Sequence, residues 1–382
     1  MMTSRPARKG HRVAVRNEHT SIPPTEAMTD PFVFLDIVNK NRVSGWCLNG
    51  DDINIPVRLL FYADDEKIGE TRADRPRPDL KDLNFHPTGH CGFDFSIPPA
   101  IDISKYDCFY IRAPGARNHL QKMSIEELPD VLTEDEANRV LFMHIPKTGG
   151  TSFNTFVRNH FPEGSTVIHM EDIDPDDQRA LAQQKIYLAG HLPLRLIKER
   201  FDLSRFDLIT MLRDPYRQLH SHVSWVKNIG ADPGSDYFQK HHELFQDLAL
   251  RLNRTDFSIV DDLPSLTRDL PANLCSLFDN NQTRHFLETE PAAVTEAHLF
   301  AAIDNLDCFK LVGTTEKYDE FTAAFCSLYD IGSPARGERF NESRSQRLFD
   351  CDDPSARSRL LPLVQYDLRL YEFVANGMPC KD

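Results

Sequence analysis

The chain has 382 residues, a net charge of −14 and eight cysteines. This length is sufficient for two domains with ordinary cores, and the acidic balance argues against a general nucleic-acid binder, which needs a basic surface. The cysteines contain no C-x-x-C pair, so they indicate neither a zinc site nor a disulfide framework and are typical of free thiols in a reducing compartment.

Residues 1–30 contain five lysines and arginines but no apolar core of a secretory signal. They are predicted to form a disordered basic arm, and weak peripheral contact with an anionic membrane or polymer is left open. The sequence contains no stretch that approaches the ~20 apolar residues needed to span a bilayer. We therefore expect a soluble, cytoplasmic protein.

The sequence pattern of residues 31–125 is typical of a β domain. Short apolar runs separated by turn signals occur at 32–35, 43–47, 57–62, 92–95 and 108–111. Several strands at this spacing predict a small antiparallel β-sandwich. Within it, Trp46 is expected in the core, with an exposed carbohydrate-binding aromatic as the alternative. The acidic segment 126–138, which contains Pro129, is predicted to be a linker.

From residue 139 onward, strand and helix patterns alternate, which predicts an α/β domain over residues 139–382. Alternation of this kind is typical of a three-layer architecture with a mainly parallel sheet. Ligands of such sheets lie at the carboxyl ends of the strands. Chemically informative residues should therefore follow the strands directly.

The loop at 144–152, His-Ile-Pro-Lys-Thr-Gly-Gly-Thr-Ser, directly follows the apolar run 140–143. Phe153, Phe156 and Val157 then recur at the spacing of one buried helix face. A strand, a glycine-bearing loop and a helix N-terminus together form a phosphate cradle.

The order of residues within this loop differs from the common triphosphate loop. There the lysine follows the last glycine, whereas Lys147 precedes both Gly149 and Gly150. The alternative interpretation is a glycine turn before a surface helix, with Lys147 merely solvated.

A second apolar run, 206–212, ends in Arg213-Asp214-Pro215. Aspartate is a favoured N-cap and proline a favoured first helical residue, so a helix is predicted from Pro215 to about Lys227. Ser221 lies two turns into that helix, where it can converge with Arg213 on one phosphate. Taken alone, Arg-Asp-Pro is an ordinary helix start.

A short strand is predicted at 185–190, and His191 directly follows it. An imidazole with a pKa near neutrality is suited to accept a proton at physiological pH. The alternative is a strand-end histidine that is hydrogen-bonded for structural reasons.

The loop at 144–152 resembles the 5′-phosphosulfate loop of sulfotransferase family 2, the carbohydrate sulfotransferases related to the heparan sulfate 2-O- and 6-O-sulfotransferases. Residues 213–221 resemble the family's 3′-phosphate motif, Arg-Asp-Pro-x-x-Arg-x-x-Ser. Gln218 stands where the second arginine is usual, and the adjacent Arg217 is a candidate substitute. The resemblance covers roughly residues 139–375, with weaker matches at 279–287, 312–318 and 340–343.

The resemblance implies a P-loop-like sulfotransferase domain that uses 3′-phosphoadenosine 5′-phosphosulfate (PAPS) as co-substrate and no metal. It implies that the cofactor is bound by a set of loop and helix residues: Lys147, Thr148, Gly149, Gly150, Thr151, Ser152, Arg213 and Ser221. Lys147 would also act in catalysis, by neutralising the departing phosphate oxygen. His191 aligns with the second histidine of a His-Gly-His segment in the 2-O-sulfotransferase relatives and would be the base, while Ala189 replaces the first.

The implied acceptor is a carbohydrate or polysaccharide hydroxyl. Segments 44–46, 73–80 and 92–95 of the β domain resemble a module often appended to bacterial glycosyltransferases and sulfotransferases. Animal relatives of the family are anchored by an N-terminal transmembrane helix, which is not predicted here, so a bacterial protein is expected. Two alternatives are a catalytically idle nucleotide-binding protein and an ATP-dependent phosphotransferase. The oligomeric state is left open.

Overall fold

The computed structural model describes residues 31–82, 85–116, 118–129, 139–255, 257, 270–329, 331 and 348–377. The predicted basic arm at 1–30, most of the predicted linker at 126–138 and the segment 340–343 lie outside the described residues. The described part is a mixed α/β structure with one parallel five-stranded sheet and two antiparallel four-stranded sheets. The α/β class and the parallel sheet predicted from the sequence are confirmed.

The two antiparallel sheets have the strand orders β1-β2-β6-β5 and β4-β3-β7-β8. Their strands are β1 Phe32–Val38, β2 Arg42–Leu48, β3 Arg58–Ala63, β4 Glu66–Arg72, β5 Arg75–Pro76, β6 His90–Ser96, β7 Cys108–Arg112 and β8 Gln121–Ser124. Side chains from both sheets form one core, in which the ring of Phe61 stacks on that of Phe95 with the centroids 4.0 Å apart. This core includes Leu128, so the packed sandwich continues past residue 126, where the linker was predicted to begin.

Trp46 lies on the outer face of this sandwich. Val43 and Cys47 of the same strand are buried in the core, and the two-residue period of a strand turns Trp46 to the opposite side. There its half-buried indole stacks on Phe34, with the ring centroids 5.6 Å apart. The expectation that Trp46 belongs to the core is therefore wrong.

The parallel sheet consists of β9 Val140–Met143, β10 Thr166–Val167, β11 Tyr187–Gly190, β12 Asp207–Leu212 and β13 Leu311–Thr314. Its order is β10-β11-β9-β12-β13. The chain leaves β9 toward one edge of the sheet and leaves β12 toward the other. The carboxyl ends of these two adjacent strands therefore flank a topological switch point, the usual place for a ligand in an open α/β sheet.

Twelve α-helices are described. They are α1 Pro78–Asp82, α2 Gly150–His160, α3 Pro175–Gln184, α4 Leu194–Arg200, α5 Pro215–Ile229, α6 Asp236–Gln239, α7 Glu243–Arg254, α8 Ala272–Cys275, α9 Asn281–His285, α10 Glu296–Asn305, α11 Tyr318–Leu328 and α12 Pro354–Ala375. Helix α5 begins at the predicted residue, and the Asp214 carboxylate caps it by accepting a hydrogen bond of 3.0 Å from the Arg217 backbone N–H. No helix in the described part of the chain combines the length and apolar character needed to cross a bilayer.

The side chains of β9 alternate between two hydrophobic clusters. Val140 and Phe142 pack with helices α2 and α11, whereas Leu141 and Met143 pack with helices α4, α10 and α12. Helices therefore cover both faces of the parallel sheet, which gives the three layers that the alternating pattern predicts.

The sandwich contacts the α/β part near the C-terminal end of helix α2. The Val38 backbone N–H donates to Asn159 Oδ1 at 2.9 Å, and Asn39 Nδ2 donates to the Asn159 carbonyl at 3.0 Å. The opposite end of α2 carries the glycine-bearing loop. The sandwich therefore contacts the helix that presents this loop at the switch point.

Candidate active site

The loop after β9 adopts a strained conformation that exposes its backbone donors. Lys147 has a φ of 67° and Gly149 a φ of 88°, both in the left-handed region. Helix α2 follows immediately, and the backbone N–H groups of 147–151 have no hydrogen-bond acceptor among the described residues. Unpaired N–H groups at the positive end of a helix dipole form a site for an anion.

Gly150 is required by the packing beneath the loop. A Cβ atom at this position would lie 2.1 Å from the Cδ2 atom of the buried His144 ring. The second glycine therefore lets helix α2 begin directly against the His144 imidazole.

Three predicted hydroxyl residues differ in their surroundings. Thr148 is fully buried, and its hydroxyl donates to the Ile145 carbonyl at 2.8 Å. Thr151 is exposed and Ser152 is buried. The Thr148 side chain therefore stabilises the loop, and its hydroxyl proton is already committed to a backbone carbonyl.

Arg213 lies beside Lys147 although 66 residues separate them in the sequence. Its Nη1 atom donates to the Lys147 carbonyl at 3.1 Å, and the Lys147 Nζ atom lies 5.8 Å from the centroid of the Trp225 ring. Neither side chain forms a salt bridge with a described residue. Burial lowers the pKa of the Lys147 ammonium, and the charge of Arg213 lowers it further.

Without a bound anion, the two positive charges of Lys147 and Arg213 lower the stability of the folded protein. Burial lowers the pKa of Arg213 although the charge of Glu316 opposes this shift, and a partly buried charge without a salt bridge destabilises the fold until an anion neutralises it. Two partly buried cations beside unpaired backbone N–H groups therefore point to an anion larger than a single carboxylate.

Gln282 fixes the position of Arg213. The Arg213 backbone N–H donates to Gln282 Oε1 at 2.9 Å, and Gln282 Nε2 donates back to the Arg213 carbonyl at 2.9 Å. Gln282 is itself fully buried, and its backbone N–H donates to Asp367 at 3.1 Å. Burial raises the pKa of the Asp367 carboxyl to about 6.

Thr315 connects the ends of the two strands that flank the switch point. Its Oγ1 atom lies 2.6 Å from the Thr148 carbonyl oxygen and 3.1 Å from the Leu212 carbonyl oxygen. The hydroxyl therefore has an acceptor at either strand end. It holds the loop after β9 against the end of β12.

Helix α5 faces the loop with the stripe that contains Ser221. Gln218 Nε2 donates to the Pro146 carbonyl at 3.0 Å, and Trp225 lies beside the Lys147 ammonium. Residues three and four apart share a helix face, so Ser221 lies between these two contacts. Ser221 thus lies on the face of helix α5 that contacts the loop, and its role in binding a phosphate stays a prediction.

Arg217, the predicted substitute for the missing arginine, points elsewhere. Its Nη2 atom donates to both carboxylate oxygens of Asp352, at 3.0 and 2.9 Å. The usual arginine position holds Gln218, which is buried and contacts the backbone of the loop. Gln218 therefore binds the backbone of the loop through an uncharged amide.

His191 lies next to this loop with one ring nitrogen already committed. Its Nδ1 atom is 2.6 Å from the His144 carbonyl oxygen. A carbonyl only accepts, so Nδ1 carries the proton and Nε2 keeps its lone pair in the neutral ring. Burial lowers the pKa of His191, which favours this neutral form near pH 7.

Glu171 binds the backbone of His191 and lies near its ring. The His191 backbone N–H donates to Glu171 Oε2 at 2.9 Å, and His191 Nε2 lies 3.8 Å from Glu171 Oε1. The pKa of Glu171 falls to about 2, with the His169 hydrogen bond and the charge of His191 among its causes, although burial opposes the shift. Within the described residues, His169, Glu171 and Asp172 also have ligand atoms within 4.8 Å of one another.

Two further buried histidines surround the site. His285 Nδ1 is 2.7 Å from the Asn281 carbonyl, and burial lowers its pKa to about 4. Within the described part of the chain, the buried Nδ1 atom of His222 has no hydrogen-bond partner. Burial lowers the pKa of His222 to about 3, so both rings are neutral.

A comparison of the sequence with protein-family models gives no match, and a comparison with curated proteins gives no significant match.

Three residues of the site were not predicted from the sequence. Glu171, Gln282 and Thr315 contact the predicted residues through side chains that no local pattern singles out. Signals for two of them existed, since Gln282 and Thr315 fall in the weakly matching segments 279–287 and 312–318. Glu171 follows a strand end at short distance, which is the usual location of ligand-binding residues in such sheets.

Proposed function

We propose that the α/β part is a P-loop-like sulfotransferase domain that transfers a sulfuryl group from PAPS to a hydroxyl group of a carbohydrate. The observation that supports this best is the pair Lys147 and Arg213, two adjacent cations without a salt-bridge partner among the described residues. They stand at the switch point beside unpaired backbone donors. A ligand with phosphate groups on both sides of a nucleoside suits this arrangement.

In this proposal the loop at 147–152 binds the 5′-phosphosulfate, and Arg213 with Ser221 binds the 3′-phosphate. The proposed family, sulfotransferase family 2, is supported by the order of residues in these two motifs. A lysine that precedes both glycines approaches the anion from the strand side. The carbohydrate acceptor is inferred from the same resemblance.

The transfer is an in-line displacement at sulfur. The acceptor oxygen forms a bond to sulfur while the bond from sulfur to the 5′-phosphate oxygen breaks, and that oxygen keeps the electron pair. Lys147 stabilises the developing negative charge. His191 accepts the hydroxyl proton at Nε2, the nitrogen left free by the bond from Nδ1 to the His144 carbonyl.

Calorimetric titration with adenosine 3′,5′-bisphosphate, compared with magnesium-ATP, tests the donor site. The bisphosphate should bind more tightly, and Lys147→Ala should weaken it by about 10- to 100-fold, the typical value of a charge-assisted hydrogen bond. Lys67→Ala is the matched control, because this lysine lies on the exposed surface of the sandwich and pairs with Glu70. Tighter binding of ATP, or unchanged affinity in Lys147→Ala, would contradict the proposal.

The chemistry is tested separately by transfer of radiolabelled sulfate. His191→Ala should abolish transfer while the bisphosphate still binds. If the wild-type chain binds the bisphosphate but transfers sulfate to no polysaccharide or small hydroxyl compound, it is a nucleotide-binding protein without this activity.

A further inference from the structure

A pocket lies between the start of helix α4 and the segment around helix α9. Its lining includes Pro193, Arg195, Asn281, Arg284, His285 and Glu290. Pro193 follows His191 by two residues. Asn281 Oδ1 accepts a hydrogen bond of 3.1 Å from Gln218, whose amide also contacts the loop at Pro146. One lining residue therefore follows the proposed base by two positions, and another is connected to the proposed donor loop through Gln218.

The two cations that line this pocket are already engaged. Arg284 is only 10% exposed and donates to Asp279, through both its carboxylate and its carbonyl, and to the carbonyls of Pro291 and Ala292. These bonds hold the turn that forms the pocket wall. Arg284 therefore stabilises the pocket wall, and its guanidinium is not available to bind an anion.

The positive charge of Arg195 is balanced by acidic neighbours. Its guanidinium lies 3.4 Å from Glu290 and 3.9 Å from Glu199. Together with Asp279, three carboxylates thus face two guanidinium groups in and around the pocket. An acceptor that carries its own carboxylate or sulfate at this place would meet no unpaired cation of a described residue and would be repelled by Glu290.

His285 supplies the polar group that points to a ligand. It is 91% buried, lines the pocket and has its Nδ1 proton committed to the Asn281 carbonyl at 2.7 Å. Its Nε2 atom keeps a lone pair, and among the described residues this atom has no hydrogen-bond donor. A neutral imidazole nitrogen in this state accepts a hydrogen bond from a hydroxyl group.

We infer that this pocket binds the acceptor, and that the acceptor segment bound there is uncharged and rich in hydroxyl groups, such as a neutral saccharide unit. The inference rests on the proposed sulfotransferase function. It adds that His285 Nε2 accepts a hydrogen bond from an acceptor hydroxyl and that Glu290 discriminates against anionic acceptors.

Matched pairs of polysaccharides test this specificity with PAPS as donor. A neutral glucan, galactan and mannan are compared with glucuronan, polygalacturonate and mannuronan at equal concentration of sugar units. Sulfate incorporation into at least one neutral polymer should exceed that into its carboxylated counterpart by about tenfold or more, the scale of one unfavourable like-charge contact.

Two variants connect the specificity with the named residues. Glu290→Gln should raise the rate with the carboxylated polymers relative to the rate with the neutral ones. Glu288→Gln is the matched control, because Glu288 pairs with Lys198 at 2.5 Å and does not line the pocket. His285→Phe should raise the acceptor KM by about five- to hundredfold without changing bisphosphate affinity, and His285→Gln, which restores an acceptor atom, should recover part of the loss.

Each outcome is decisive. Faster sulfation of the carboxylated polymers by the wild-type protein overturns the inference, as does equal behaviour of Glu290→Gln and Glu288→Gln. Sulfation of no neutral polymer by a chain that binds the bisphosphate also overturns it, while the donor site stands. If the bisphosphate does not bind, the proposed function fails, and the inference fails with it.

Discussion

The Nδ1 atom of His191 lies 2.6 Å from the carbonyl oxygen of His144, and this single contact determines which nitrogen of the His191 ring can act as a base. The two rings also lie against each other, with their centroids 4.2 Å apart. His144 in turn fills the space beneath Gly150, at the start of the helix that follows the loop. The proposed base and the proposed donor loop are therefore built on the same buried histidine.

The activity of His191 should persist into mildly acidic solution. Burial lowers the pKa of His191 from the ordinary 6.5, and a general base works only while it is unprotonated. The acidic limb of the profile of kcat/KM against pH should therefore have its midpoint below pH 6.5. A midpoint at or above this value would show that another group, or a differently placed His191, limits the reaction.

Glu171→Gln should move that midpoint to still lower pH. The Glu171 carboxylate raises the pKa of His191 by stabilising the imidazolium, whereas a glutamine keeps an oxygen to accept the backbone hydrogen bond but lacks the charge. The shift is measured from the same pH profile. Glu66→Gln is the control, because Glu66 lies in the sandwich and contacts Tyr106. An unchanged or higher midpoint in Glu171→Gln would contradict the assignment.

Gln282→Ala should weaken binding of adenosine 3′,5′-bisphosphate by releasing the backbone of Arg213. The substitution removes both partners of the Arg213 backbone, and buried groups left unpaired cost about 1–3 kcal/mol. Calorimetry on Gln282→Ala, Arg213→Ala and the double variant should give losses that do not add. Gln246→Ala, which removes an amide bound to surface carbonyls, is the control. Additive losses would show that Gln282 acts independently of Arg213.

Thr315→Val should destabilise the fold and loosen the donor site together. The valine keeps the shape but leaves the Thr148 and Leu212 carbonyls without this donor, at a cost of about 1–3 kcal/mol. Urea unfolding measures the stability and bisphosphate titration the site. In Thr322→Val the lost bonds are local to helix α11 and its first turn, so the affinity should be unchanged. Equal affinity in both variants would argue against the connecting role of Thr315.

Asp367 should give the stability a distinct dependence on pH. Its pKa is raised from 3.8 to about 6 in the folded state, so the folded protein binds this proton more tightly than the unfolded chain. The stability contributed by this group therefore decreases as the pH rises from about 4 to about 6, by up to about 3 kcal/mol, and is constant above that range.

Urea unfolding of the wild-type protein and of Asp367→Asn over this range isolates the effect. The difference in unfolding free energy between the two proteins should decrease across the window and level off above pH 6. A difference that does not depend on pH would show that Asp367 keeps an ordinary pKa.

The sequence alone determined several elements and where they begin. The run 140–143, the helix start at Pro215 and the alternation of strands and helices were predicted correctly, because apolar periodicity, capping residues and glycines act over a few neighbouring positions. Since parallel strands bring their carboxyl ends to one edge, the same reasoning placed Lys147, His191 and Arg213 at one side of the sheet.

Only the tertiary structure decided how these residues are held and which groups they present. The contacts of His191 with His144, of Arg213 with Gln282 and of Thr315 with Thr148 join residues 47, 69 and 167 positions apart. The inward turn of the Thr148 hydroxyl and the outward face of Trp46 likewise depend on packing. Such contacts depend on how the layers pack against each other. A local sequence pattern does not predict this packing.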